Sequence, residues 1–126
     1  MQREQFEALV AKALEQLPLE FQSKLENIDV VVENWPTKEQ LSRVKLRSPT
    51  QLLGLYEGVP KTRRGGGYGL VPPDKITIFQ KPIEARHHPD KQIETEIQKV
   101  VCHEIAHHFG STEESLRRIE SERLRK

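Results

Sequence analysis

Residues 91–113 read KQIETEIQKVVCHEIAHHFGSTE, and this stretch decides both the fold and the chemistry. Ile93, Ile97, Val100, Val101 and Ile105 recur at helical spacing, so Lys91 to Phe109 is expected to be an amphipathic helix. Gly110 stops it, because glycine takes the left-handed turn that ends a helix without steric cost. His103 and His107 lie four apart on this helix. Such residues differ by ~40° in azimuth and ~6 Å in rise. Both imidazoles can therefore converge on one zinc ion through bonds of ~2.0–2.1 Å. Glu104 flanks the ion rather than binding it, which is where a general base must stand. Zinc brings the pKa of its water to about 7, so a carboxylate can take the proton at neutral pH.

A catalytic zinc needs a third protein ligand and an open position. Were the helix to run on, Glu113 would lie ~15 Å along the axis from His103, on another face. The turn at Gly110 folds the chain back. Ser111 then N-caps a last helix, with Glu114 completing a capping box. That leaves Glu113 as the third ligand, with Glu114 and Glu120 as alternatives. The competing reading makes His103 and His107 ordinary surface residues and puts Glu104 in an ion pair. Against it stand the apolar stripe, the glycine that ends it and the carboxylate that follows.

Upstream, Phe6, Leu9, Val10, Ala13, Leu14 and Leu17 share one helical face, so Gln2 to Leu17 is read as a helix. Pro18 interrupts it and opens a second short helix, Leu19 to Leu25. Ile28 to Glu33 is β-branched and reads as a strand. Thr37 to Val44 suits a short helix with Thr37 as N-cap and Gln40 completing a capping box. Leu52 to Glu57 and Lys75 to Gln80 read as further strands. Gly58 to Pro73, with Gly65 to Gly69 inside it, is irregular, and Arg86 to Pro89 lies in a polar connector. Ser111 to Arg125 is read as a last helix.

The 126 residues fit one domain, 1–126, with a mostly aliphatic core because aromatics make up only 6%. Net charge is +1, which gives no global field for nucleic acid or acidic membranes. Cys102 is the only cysteine, so no intrachain disulfide forms. Charges at Arg3, Glu4, Glu7, Lys12 and Glu15 leave no apolar core for a signal peptide, and no stretch suits a membrane span. A cytoplasmic protein is the expectation.

The run His103-Glu104-Ile105-Ala106-His107-His108-Phe109-Gly110-Ser111-Thr112-Glu113 resembles the zincin metallopeptidase pattern H-E-x-x-H-x-x-G-x-x-(H/D). More closely, the chain resembles the small bacterial zincin-like metallopeptidases. The likeness covers Leu52 to Pro60, Ile76 to Phe79, Pro82 to Glu84 and the helix through Gly110. It implies an α+β minimal zincin fold: a small mixed sheet, with an edge strand beside the metal, packed on the motif helix. It implies a zinc site more firmly than any substrate. The chain departs from the pattern at three points. Glu113 stands where Asp or His is usual, Met1 is the only methionine and excludes a methionine turn, and His108 replaces an uncharged residue. His108 is placed to donate to a carboxylate behind the ligands.

The expected activity is zinc-dependent peptide hydrolysis, with the substrate extended along Lys75 to Gln80 as an edge strand. Tyr56, Tyr68, His87 and His88 are the candidates for the oxyanion donor, each with a structural reading beside it. Gly65 to Gly69 lacks the lysine of a phosphate loop. Two rival classes are a non-catalytic metal- or peptide-binding module and a metal-dependent endoribonuclease. A structural zinc is normally closed by four ligands, whereas three are apparent here. The ribonuclease pattern has glycine where this chain has Glu104, together with a third histidine that this chain lacks.

Overall fold

The computed structural model describes residues 1–58, 73–86 and 89–109. Helix α1 spans Arg3–Glu15 and α2 spans Leu19–Leu25. Strand β1 is Ile28–Glu33, and α3, Lys38–Arg43, follows it. Thr37 caps α3 as expected: its side chain accepts from Gln40 N–H, and the Gln40 side chain accepts from Thr37 N–H. A 3₁₀ turn at Pro49–Gln51 leads into β2, Gly54–Glu57. Strand β3 is Asp74–Phe79, α4 is Gln80–Arg86 and the motif helix α5 is Asp90–Phe109.

The architecture is α+β, with the three strands in the order β1-β3-β2. β1 pairs with β3 in parallel and β2 pairs with it antiparallel. This corrects one expectation. Lys75 to Gln80 is not an edge strand: β3 is the middle strand, both its sides are paired, and Gln80 already belongs to a helix. The physical reason lies in burial. Ile76 and Ile78 are buried with the α1 and α5 side chains, while Phe79 is buried on the other face with Leu41, Leu52 and Leu55. A strand covered on both faces belongs inside the sheet. The edge beside the motif helix is β2.

A second correction concerns the connector after β3. Gln80 to Arg86 is helical, with Pro82 in its first turn, where the missing N–H removes no bond. Gln80 donates to the Glu84 carboxylate one turn on and to the Met1 carbonyl.

The larger core joins Phe6, Val10 and Ala13 of α1 to Ile93, Ile97, Val101 and Ile105 of α5 over the Ile76–Ile78 face of the sheet. Gln98, buried in this interface, donates to the Ala13 carbonyl at 3.1 Å. β2 lies flush on α5 at Gly54. A Cβ there would stand 2.3 Å from Val100 Cγ1 and 3.3 Å from the Thr77 carbonyl oxygen, so only glycine permits this approach. No helix among the described residues is long and apolar enough to cross a membrane. The expected loop from Gly58 to Pro73 and the expected last helix, Ser111 to Arg125, fall almost wholly outside the described residues, as do Tyr68, His87 and His88.

Candidate metal centre

Two neighbouring stripes run down the last turns of α5. His103 and His107 form one and Glu104 and His108 the other, each pair one helical turn apart. The first stripe faces outward: both imidazoles are exposed. The second faces β2, and Glu104 is half-buried there.

Glu104 Oε1 accepts a hydrogen bond of 2.8 Å from the backbone N–H of Tyr56. Leu53 and the odd-numbered residues of β2 use their backbone groups on β3, as Phe79 N–H to the Leu53 carbonyl shows. Antiparallel alternation then turns the Tyr56 N–H away from the sheet and toward the helix. The carboxylate therefore occupies a strand-edge donor. One turn further along α5, the His108 ring stacks on the Tyr56 ring, with centroids 3.9 Å apart and planes 16° apart. The Tyr56 hydroxyl donates to Asp74 Oδ2 at 2.5 Å, and His108 Nε2 stands 3.7 Å from the same oxygen. His108 thus faces a carboxylate, as its sequence position suggested, at ion-pair distance. With its hydroxyl committed to Asp74, Tyr56 is poorly placed to serve as an oxyanion donor.

Burial raises the pKa of Glu104 above the ordinary carboxylate value; the Tyr56 N–H and the charges of His107 and His103 pull it back only in part. A carboxylate whose pKa is raised in this way is a stronger base than a free one.

His103 and His107 supply two nitrogen donors of the kind zinc takes. The His103 and His107 rings have centroids 6.4 Å apart and are inclined at 64°. Two imidazoles sharing one tetrahedral ion through ~2.1 Å bonds have centroids about 5 Å apart. As placed, the two rings stand wider than that spacing. Among the described residues no group of three His, Cys, Asp or Glu side chains is gathered as a metal set. Glu113, Glu114 and Glu120 lie outside those residues. An open cleft of about 330 Å³ borders His103 and Glu104, lined also by Leu53, Gly54, Lys99 and Val100.

A family model described as zincin-like metallopeptidase matches residues 25–123. The chain belongs to this family. The zincin-like match takes in β1, β2, β3, the motif helix and the segment carrying Glu113, Glu114 and Glu120. It agrees with the α+β fold. No curated protein matches the chain.

Sequence reasoning missed two parts of this zincin-like site. Asp74 fell between the expected Gly58–Pro73 loop and the expected Lys75–Gln80 strand and was given no role, and the Tyr56 N–H has no letter of its own. The signal for the second was present in Leu53-Gly54-Leu55-Tyr56, where a glycine breaks an apolar strand and so marks a close backbone approach.

Proposed function

We propose that the chain is a zinc-dependent peptidase in which His103, His107 and Glu113 hold the metal and Glu104 is the general base. The observation that carries this reading is the Glu104 anchor. A half-buried carboxylate is held by the edge strand at 2.8 Å, beside two exposed imidazoles and an open cleft. Zinc, when bound, supplies Lewis acidity, polarising the scissile carbonyl and making water a competent nucleophile near neutral pH. The chain's own residues do the rest. Tyr56 N–H fixes Oε1 of Glu104, which leaves Oε2 to accept the proton from attacking water. The same oxygen then returns that proton to the leaving amine nitrogen.

The substrate is proposed to lie extended along the outer edge of β2, Gly54–Glu57, rather than along β3. The cleft lined by Leu53, Gly54 and His103 leads along that edge. No nucleic-acid substrate is proposed.

Metal analysis combined with a peptide-library assay tests the reading. His103→Ala and His107→Ala should lose zinc. Glu104→Gln should keep zinc and lose turnover by about 10²–10⁴-fold, the usual contribution of a general base. Full turnover by a zinc-loaded Glu104→Gln protein would refute the assignment. Alanine variants of Glu113, Glu114 and Glu120, compared for zinc affinity, identify the third ligand.

A further inference from the structure

We infer that Tyr56, Asp74 and His108 act as positioning residues, a clamp that holds β2 in the register where its Tyr56 N–H meets Glu104. Three contacts converge on one residue of the edge strand. Glu104 takes the Tyr56 backbone N–H, His108 covers the Tyr56 ring and Asp74 takes the Tyr56 hydroxyl. Glu104 and His108 are one turn apart on α5, so a single helix face grips both the main chain and the side chain of Tyr56.

Sheet geometry supplies the third point. Tyr56 stands opposite Ile76, so Asp74, two residues before Ile76 on the same face, is its diagonal neighbour. Asp74 is buried at the first position of β3, and His108 Nε2 faces it at 3.7 Å. The three side chains also meet beside Gly58, where a Cβ would make ordinary contacts of 3.5 Å with His108 Cε1, 3.7 Å with Asp74 Oδ1 and 3.8 Å with Tyr56 Cε1.

β2 has four residues and, among the described residues, is paired on one side only, so by itself it could fray or slide. The clamp ties it to α5 and β3 at one point. That fixes the distance between the strand edge and the carboxylate. The catalytic consequence rests on Glu104 being the base; the structural link does not.

Amide hydrogen exchange of the full chain without zinc reads the link directly. His108→Ala and Tyr56→Phe should each speed exchange at the Tyr56 N–H by about tenfold relative to neighbouring β3 amides, the order expected for losing one stacked ring or one charged hydrogen bond. His108→Phe keeps a stacking ring and should restore most of the protection. Zinc affinity should stay within about threefold of wild type, because the clamp does not touch the ligand pair. In the peptidase assay, kcat should fall with KM little changed. Unaltered Tyr56 exchange in a folded His108→Ala protein would overturn the clamp, as would failure of His108→Phe to rescue. A parallel loss of zinc would also overturn it, by making His108 part of the metal site. Should His108→Ala fail to fold, Tyr56→Phe, which removes only one oxygen, carries the test. A wild-type protein with no hydrolytic activity would count against the peptidase reading and leave the exchange result standing or falling by itself.

Discussion

Replacing Gly54 with alanine puts the contact between the edge strand and the motif helix to the test. At an open strand position this change stabilises by about 0.4–1 kcal/mol, because alanine has less unfolded-state freedom to lose. Here the new Cβ would lie 2.3 Å from Val100 Cγ1, against an ordinary carbon–carbon contact of about 3.5–4.0 Å. An overlap of more than 1 Å cannot be absorbed by Val100 alone, since a β-branched side chain in a helix has one strongly preferred rotamer. The strand must move off the helix, and overpacking of this kind costs about 1–3 kcal/mol. The sign is therefore reversed by the geometry of one atom pair. A shift of about 1 Å also takes the Tyr56 N–H to Glu104 distance from 2.8 Å beyond hydrogen-bond range. Urea denaturation measures the stability, and a double-mutant cycle with Val100→Ala isolates the clash. After truncation the nearest Val100 atom is Cβ at 3.8 Å, an ordinary contact, so the double variant should be more stable than the sum of the single effects by about 1–2 kcal/mol. A Gly54→Ala protein as stable as wild type, or strictly additive effects, would refute the reasoning.

Glu104→Gln should stabilise the zinc-free protein at neutral pH while matching wild type in acid. The folded-state pKa of Glu104 is raised by burial, so wild type keeps its full stability below the ordinary glutamate pKa and loses it as pH rises through the folded value. Urea midpoints from acid to neutral pH would show the two curves diverging upward, and parallel curves would count against the burial argument. Zinc at about a hundredfold over its Kd should stabilise the protein by about 2.7 kcal/mol, an effect that thermal melts of His103→Ala should lack. Thr37→Ala should cost about 1 kcal/mol by removing half of the α3 capping box, and Thr37→Ser should recover most of it.

The legible parts of this protein are those where the information is local. His103 and His107 are four apart in a helix whose stripe Ile93–Ile97–Val101–Ile105 is itself local, so the helix and the one-turn spacing of the two histidines could be read directly. The capping box at Thr37 and Gln40 is equally local. Strand order is not. Lys75 to Gln80 alternates in a way that suits an edge, and only the burial of both its faces, a property of what packs on them, puts it in the middle. Helix α4 was hidden because Pro82 reads as a breaker unless its first-turn position is known. The Tyr56 anchor was hidden because a backbone donor belongs to the fold rather than to any residue type.

The Glu104 contact also bears on self-association. A sheet edge offers a ladder of unfilled donors and acceptors to any passing extended chain, and unguarded edges of this kind seed fibrils. Among the described residues, the β2 rim carries four residues, one of them glycine, and its Tyr56 donor is filled from within by the Glu104 side chain. A chain laid along this rim, a substrate included, finds that donor taken and can pair only with what the rest of the edge offers. Glu104 thus limits how firmly any extended segment, a second copy of this chain included, can add to the sheet here.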